Sequence, residues 1–343
     1  MAARASLLRL VARRLLAAGP GLVGVVVVVF LLNRALPGDP AAHFAGAAAS
    51  REAIEQVRVA LGLDRSLPEQ FVRYVGDLAR GDLGRSLTTG QPVLTDLLAR
   101  LPASLELTLC GLGLALAVAL PLGVVSATRP GSWIDHLARV VSTAGVSLPV
   151  FFTGLLLVYV FYYLLGWAPA PIGRLDTVLS PPPTVTGAYL VDSLLARDLA
   201  LFSACARQLV LPTLTLGIVA LAPIARMTRA SMLGVLSSDF VRTARAAGLT
   251  PWTVLVVYAL RNALLPVVTT LGMVFSFLLG VNVVVEKVFA WPGVGSYALE
   301  AVVASDYAPV QGFVLAMAAL YVLLNLLVDI LYGVIDARVQ LEA

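Results

Sequence analysis

The most restrictive feature of this sequence is a series of six apolar runs, each about the length of a helix that crosses a bilayer. They cover residues 15–36, 104–127, 140–165, 209–225, 264–285 and 313–332. Runs of this kind are too long for buried strands, which usually contain about 4–8 residues. An all-α membrane protein with about six transmembrane helices is therefore predicted, formed by residues 1–343 as a single domain.

The overall composition supports the same class. The chain is 59% hydrophobic and 13% charged, and its mean hydropathy is +0.91. Soluble domains are about half apolar and a quarter charged, so water is an unsuitable solvent for this chain. The first run is longer than the apolar part of a secretory signal and ends in Asn33 and Arg34 without a cleavage pattern, so we predict a retained first helix.

The distribution of arginine predicts the orientation. Residues 1–14, 128–139, 226–263 and 333–343 together contain twelve arginines and four acids, a net charge of +8. The segments on the other side carry a net negative charge. Since loop Lys and Arg favour the cytoplasmic side, both termini are predicted in the cytoplasm.

Two outer loops follow from this topology. Residues 37–103 combine charge with turn formers and are expected to hold short helices such as Arg51–Leu61. Residues 166–208 contain Pro169, Pro171 and the run 181–183, which favour extended backbone over helix. An irregular external cap is predicted there.

The inner loop 226–263 contains a distinct local pattern at residues 238–252. We name this segment the elbow. Ser238 or Asp239 can cap a short helix that Gly248 ends in the left-handed conformation. Thr250 then caps a new helix with Pro251 at its first position. A short helix, a sharp corner and a second helix are predicted.

The residue types of the elbow leave two interpretations open. Ala244, Ala246 and Ala247 stand beside Arg242 and Arg245, so another backbone could approach the small residues while the charges stay in water. This suits docking into a groove of a partner protein. The same pattern also fits an amphipathic helix that lies in the membrane interface.

At this point the sequence resembles a known family. The runs DFVRTARAAGLT (239–250) and ALRNALLP (259–266) are similar to the coupling loop of binding-protein-dependent ABC importer permeases of the dipeptide, oligopeptide and nickel group. The same order of motifs continues along the chain: LPGDP (36–40), LGLD (61–64), GDLGRS (81–86), VFAWPGVGSYALEAV (288–302) and NLLVDILYGVIDARV (325–339). Importers of this group contain two permease subunits, and these motifs are more similar to the first subunit than to the second.

The chain departs from the group's pattern at two places. Val257 and Tyr258 stand where the group usually has a basic residue and a histidine. Asp336, Ala337 and Arg338 stand where it usually reads Asp-Pro-Arg.

The resemblance implies a type I ABC importer transmembrane domain that forms half of a pathway for dipeptides or oligopeptides, or alternatively for nickel or another small solute. It implies a second homologous permease, two cytoplasmic ATP-binding subunits, an extracytoplasmic substrate-binding protein and surrounding lipid as partners, and no nucleic acid. ATP and Mg²⁺ would bind to the ATPase subunits and no cofactor to this chain. The residues expected to couple to the ATPases are Asp239, Phe240, Arg242, Thr243, Ala244, Arg245, Ala246, Gly248 and Leu249.

No catalytic residues are expected in the chain. A phosphate-binding P-loop requires Lys followed by Ser or Thr, and the only lysine, Lys287, is followed by Val288. An intramembrane enzyme would need a nucleophile with a base, paired acids or a metal set, yet His43 and His136 both lie outside the apolar runs. Neither has Cys or His at metal-ligand spacing, so no metal site is expected.

Polar groups within the runs are candidates for the translocation pathway, because each is costly in lipid. Asn282 could line the outer mouth or bond a neighbouring helix. The turn at 291–295 could be a re-entrant segment of an external vestibule or a plain turn anchored by an aromatic side chain. An ion-gradient transporter is a rival class, but broken helices with buried ionisable groups are not evident. The candidates are Ser147, Thr153, Asn282, Trp291 and Asn325.

Overall fold

The protein is built from helices. The computed structural model describes residues 2–35, 41 and 49–335, so the LPGDP motif, His43 and the variant tripeptide at 336–338 lie outside the described residues. No β-strand occurs within these ranges, which contain one isolated bridge between Arg85 and Pro92. The helices are α1 (Ala2–Ala35), α2 (Arg51–Leu61), α3 (Leu67–Ala79), α4 (Val93–Thr128), α5 (Trp133–Ser147), α6 (Val150–Leu164), α7 (Tyr189–Leu195), α8 (Leu199–Leu236), α9 (Asp239–Ala246), α10 (Pro251–Val288), α11 (Val294–Val303) and α12 (Tyr307–Ile335).

Four of these helices are long and apolar enough to cross a membrane: α4, α8, α10 and α12. Shorter apolar helical stretches cover Leu16–Leu32, Val150–Leu164 and Val294–Val303. Most helices extend beyond the predicted apolar runs; for example, the run 209–225 is the centre of α8, Leu199–Leu236. Helical hydrogen bonding continues into polar sequence, whereas an apolar window finds only the middle of each helix.

The predicted span 140–165 is not one helix, and the prediction was wrong there. α5 ends at Ser147, Leu148 is extended with φ −96° and ψ 137°, and α6 begins at Val150. Pro149 explains the break, because a proline ring clashes with a helical conformation at the residue before it. The second part, Val158–Leu164, is wound as a π-helix.

The chain forms two compact units, and the larger contains residues 1–11, 100–296 and 323–343. Its apolar core lies around α8, with Leu216, Ile224, Leu107 and Leu278 among its fully buried members. α4 packs closely on α8, since a Cβ placed on Gly111 would lie 2.7 Å from the Cβ of Leu216. Small residues therefore bring the two helices together, as is common in membrane proteins.

The predicted inner loop 226–263 belongs almost entirely to helices of this unit. α8 continues to Leu236 and α10 begins at Pro251, so only α9 and two short connections lie between them. The predicted elbow is confirmed, and the residues on both sides of it, which no apolar run covers, continue the two long helices. The elbow thus joins two long helices directly.

The predicted irregular cap is confirmed for residues 166–188, which contain no helix. It ends earlier than expected, because α7 and α8 occupy residues 189–195 and 199–236. Asp192 of α7 fastens this segment: its carboxylate accepts hydrogen bonds from the backbone of Val185, Thr186 and Gly187 at 3.3, 2.8 and 2.9 Å.

The smaller unit contains residues 12–99 and 297–322. The predicted helix Arg51–Leu61 is confirmed, with Ser50 as its N-cap. Asp306 ties the segment before α4 to α12, since it accepts hydrogen bonds from the Ser86 hydroxyl at 2.7 Å and the Thr88 backbone at 3.0 Å. The first outer loop is therefore ordered where the structure describes it.

Candidate functional sites

The elbow has the local geometry that its residues predict. Ser238 occupies the N-cap position of α9, although its hydroxyl donates back to the Val235 carbonyl at 2.6 Å. Gly248 has φ +77°, the left-handed conformation that favours glycine. The Thr250 hydroxyl accepts from the Thr253 backbone at 3.3 Å, and Pro251 begins α10. The chain turns sharply between two capped helices.

α9 buries one face and exposes the other. Val241 and Ala244 are buried and pack against Val254 of α10 and Val235 of α8. Ala244 was predicted on the exposed side with the other alanines, and this was wrong because it lies three residues after Val241 on the same helical face. The exposed positions of the predicted coupling set are Asp239, Phe240, Arg242, Thr243, Arg245, Ala246, Gly248 and Leu249.

A charge cluster fixes the helices that support the elbow. Asp135, near the start of α5, is buried, and Arg229 of α8 binds its two carboxylate oxygens at 2.7 and 2.8 Å. The Ser126 hydroxyl of α4 donates to the same carboxylate. Hydrogen bonds from Arg229, Ser126 and the Gly131 backbone hold the pKa of Asp135 well below its usual range. The end of α4 and the start of α5 are thereby joined to α8.

Sequence reasoning missed this cluster because it counted Asp135 and Arg229 only as loop charges. The two residues are 94 positions apart, so no local spacing indicates their contact. Beside the elbow the structure also contains an open cavity of about 880 Å³, whose lining includes Arg129 and Arg245. A partner side chain could enter there.

A second buried cluster surrounds Glu286, near the end of α10. Its carboxylate accepts hydrogen bonds from the Ser104 hydroxyl, from Asn282 Nδ2 at 3.0 Å and from the Ser296 backbone at 2.7 Å. Trp291 is buried, and its indole donates to the Ala103 carbonyl at 2.9 Å. The turn at 291–295 is therefore largely packed inside protein, as the re-entrant interpretation requires.

A third cluster involves Arg174 in the irregular segment 166–188. The guanidinium is buried, binds Glu106 of α4 at 2.7 Å and the Gly187 carbonyl at 2.8 Å, and stacks over the Tyr189 ring at 3.5 Å. Glu106 also accepts from the Leu190 backbone at 2.7 Å. Glu106 thus anchors this segment to α4.

The five predicted pathway residues do not form one site. Asn282, Trp291 and Thr153 are buried, with Asn282 donating to the Ser104 carbonyl of α4 at 3.3 Å. Ser147 and Asn325 are exposed. Asn282 thus makes the helix-to-helix bond that was one of its two interpretations. A pathway role for the five residues stays a prediction.

The described residues in 2–35, 41 and 49–335 contain no group of three or more His, Cys, Asp or Glu side chains that could hold a metal ion. Long apolar helices joined by a capped elbow define a class, the helical membrane proteins. The architecture agrees with a solved structure: the MetNI methionine ABC transporter, inward facing, matches with a TM-score of 0.51 at 21% identity over 70% of this chain and 96% of that chain. At this identity the likeness concerns the fold alone.

The chain belongs to the family of binding-protein-dependent transport system inner membrane components. The family model matches residues 119–341, and the model of the N-terminal part of these membrane components matches residues 7–108. The chain is therefore a multi-pass inner membrane protein of the permease class, and its family works with ABC transporter partners such as an ATPase.

Two relatives illustrate the similarity. The probable D,D-dipeptide transport system permease protein DdpB of Escherichia coli (strain K12) is 46% identical over 92% of this chain and 93% of its own length. The di/tripeptide transport system permease protein DppB of Pseudomonas aeruginosa (strain UCBPP-PA14) is 43% identical over 97% of this chain and 99% of its own.

Proposed function

We propose that this chain is one of two permease subunits of an ATP-driven importer for short peptides, and that it forms half of the translocation pathway. The proposal is carried by the relatives named above, which match nearly the full length and are named for transport of dipeptides or tripeptides. Another relative, 39% identical, is named a glutathione transport permease, and glutathione is a small peptide as well. These names favour peptides over nickel.

The partners of the proposed complex are a second, homologous permease, two cytoplasmic ATP-binding subunits and an extracytoplasmic substrate-binding protein. ATP and Mg²⁺ bind to the ATPase subunits, because this chain has no Lys followed by Ser or Thr that could form a P-loop. The chain itself is non-catalytic. Its contribution is the pathway and the mechanical link to the ATPases.

The elbow is the proposed link. Its exposed face carries Phe240, Arg242 and Arg245, while Val241 and Ala244 fix α9 to the long helices. A force on the exposed face therefore reaches α8 and α10 without bending a flexible loop. In the proposed orientation the elbow and both termini lie on the cytoplasmic side, where the ATPases are.

The experiment that tests the function is reconstitution of the complete transporter in proteoliposomes with the binding protein and ATP. Uptake of a radiolabelled dipeptide is expected, and it should stop without ATP. Uptake that persists without ATP but collapses when the proton gradient is removed would instead identify an ion-gradient transporter. Uptake of nickel in place of dipeptide would contradict the peptide assignment.

Copurification provides a second test of the partners. A tag on this chain should retain both the ATPases and the second permease in mild detergent. The matched test variant is Phe240→Asp, which places a charge on the exposed face and should release the ATPases while leaving the second permease bound. Retention of the ATPases by the variant would contradict docking through the elbow.

A further inference from the structure

An open cavity of about 580 Å³ lies between α8 and α10, within the larger unit. None of the five pathway residues predicted from sequence contributes to it. Arg226 is its one charged lining residue. The lining consists of Pro223, Arg226, Met227 and Ala230 from α8 and of Thr270, Met273, Val274 and Phe277 from α10.

The cavity lies well inside the length of the two helices. Arg226 precedes the end of α8 by about ten residues, which corresponds to ~15 Å at the rise of an α-helix. Thr270 follows the start of α10 by about nineteen residues, or ~28 Å. Both helices are long and apolar enough to cross a membrane. Arg226 directly follows the apolar run 209–225, and Thr270, Met273 and Phe277 lie within the run 264–285, so the cavity borders the apolar parts of both helices.

A charged side chain beside these apolar runs constrains what the surface can face. Arg226 is exposed on the surface of this subunit. Exposure of a guanidinium to hydrocarbon is costly, and such residues almost always face a bundle interior or a water-filled cavity. Beside Arg226, the face formed by α8 and α10 therefore favours water or a polar partner over lipid.

Arg226 also differs from its neighbour one turn along. Arg229 is committed to Asp135 through two hydrogen bonds. The guanidinium of Arg226 has neither an ion pair nor a hydrogen-bond acceptor within the described part of the chain. Its planar donors are free to bind a carboxylate in the bidentate manner that guanidinium groups favour.

The rest of the lining suits side chains of varied shape. Met273 and Phe277 line the cavity and are 71% and 55% exposed, and Met227, another lining residue, is partly buried. Methionine has an unbranched, polarizable side chain, and surfaces rich in it accept many partners. The hydroxyl of Thr270 is already bonded to the Pro266 carbonyl at 2.9 Å. The cavity volume falls within the usual range for small-molecule sites, about 300–1,000 Å³.

We propose that this cavity is a transit site for a short peptide, in which Arg226 binds the C-terminal carboxylate and the methionine and phenylalanine side chains contact the peptide without selecting its sequence. The inference rests on the proposed function and adds the residues that contact the substrate on its pathway. Arg226 recognises the C-terminal carboxylate, which all linear peptides share. The adaptable apolar wall accommodates the side chains, which differ among peptides.

The first test compares a dipeptide with its C-terminal amide in the reconstituted transporter. Arg226→Gln should raise the KM for the free dipeptide about tenfold, the loss expected for a charge-assisted contact, and leave the KM for the amide near its wild-type value. Arg226→Lys keeps the charge and should restore most of the loss. Arg207→Gln, an exposed arginine elsewhere on α8, is the matched control and should change neither value.

Equal losses for the free dipeptide and the amide, or no loss for either, would overturn the carboxylate contact. The ratio of the two KM values in the wild-type transporter corrects for any preference of the binding protein. If the wild-type transporter imports no peptide at all, the proposed function fails. If it imports peptides but Arg226→Gln leaves the ratio unchanged, only the transit site fails.

The second test asks whether the cavity is open to water and substrate. In a chain with Cys110 and Cys205 replaced by alanine, Met273→Cys should react with a water-soluble thiol reagent during turnover, and dipeptide should slow the reaction. Absence of labelling throughout turnover would mean that lipid or the second permease covers the cavity and would overturn the proposal. Met273→Trp, which fills the space, should lower uptake of both peptides.

Discussion

At the scale of single residues, the carboxylate of Glu286 organises the turn that follows α10. It receives hydrogen bonds from Ser104, Asn282 and the Ser296 backbone, so one side chain connects α4, α10 and the start of α11. An unpaired buried carboxylate would be strongly destabilising, and these donors make its burial tolerable. Gly293 lies directly against Glu286 Oε1, which leaves no space there for a Cβ.

Gly293→Ala should therefore displace the Glu286 carboxylate. The loss of buried hydrogen bonds should lower the free energy of unfolding by about 2 kcal/mol, measured by denaturant titration of the purified protein in detergent. Gly280→Ala in α10, the helix that carries Glu286, is the control, because a Cβ there meets no atom within 4 Å. Equal stability of the two variants would show that the carboxylate can move aside at no cost.

A substitution of Gly248 tests whether the corner of the elbow must be rigid. A Cβ at this position meets no atom within 4 Å, but φ is +77°, so a β-branched residue is disfavoured by conformation alone, by about 1 kcal/mol or more. Gly248→Val should abolish ATP-dependent uptake and weaken the coupling of ATP hydrolysis to peptide. Gly234→Val on the exposed surface of α8 is the matched control. Normal uptake and coupling in Gly248→Val would reject the corner as a rigid link.

At the scale of helices, the structure depends on ionic contacts that join helix ends. Arg229 lies on the long α8, Asp135 at the start of α5, and Ser126 near the end of α4. The buried carboxylate holds these ends at fixed distance, close to the connection that carries the elbow. An isolated apolar helix has no such fixed position, because apolar side chains attract lipid and neighbouring helices alike.

Asp135→Asn should loosen this junction and lower the thermal midpoint in detergent. Its effect should depend on pH in a defined direction. Because the pKa of Asp135 is lowered in the folded protein, its stabilisation is complete above the ordinary Asp pKa of about 3.9 and declines as pH falls below that value. The difference between wild type and Asp135→Asn should be constant from about pH 5 upward and shrink under acid.

The irregular segment 166–188 is a second element held by one carboxylate. Burial alone would raise the pKa of Asp192, but hydrogen bonds from the backbone and hydroxyl of Thr186 and from the backbone of Gly187 and Val185 lower it. Asp192→Ala should release residues 185–187 and increase proteolytic cleavage within the segment. Asp176→Ala, whose side chain bonds only the nearby Val178 backbone, is the control. Equal cleavage of both variants would contradict the anchoring role.

At the scale of the whole molecule, orientation is the property that the remaining proposals require. The arginine distribution predicts that residues 238–252 and both termini lie in the cytoplasm. In a chain without its two native cysteines, Ala246→Cys should not react with an impermeant thiol reagent added to intact cells, while Val178→Cys should. Both positions are exposed in the structure. Labelling of Ala246→Cys from outside would reverse the topology.

Much of the architecture could be predicted because local physics decides it. Long apolar runs must become helices in lipid, and Thr250, Pro251 and Gly248 specify the elbow through capping and a left-handed backbone. The break at Pro149 was missed even though proline is a visible signal. Pro212 and Pro223 lie within the uninterrupted α8, so proline alone does not locate a break.

The sequence by itself determined that this chain is a helical membrane protein with an elbow and a family resemblance, since hydropathy, helix caps and motif order are properties of neighbouring residues. Only the tertiary structure decided which polar side chains meet. The residues that meet are far apart in the sequence: 94 positions for Asp135 and Arg229, 68 for Arg174 and Glu106, and 182 for Ser104 and Glu286. The packing of helices brings such residues together, and that packing depends on the shapes of whole surfaces rather than on any local spacing.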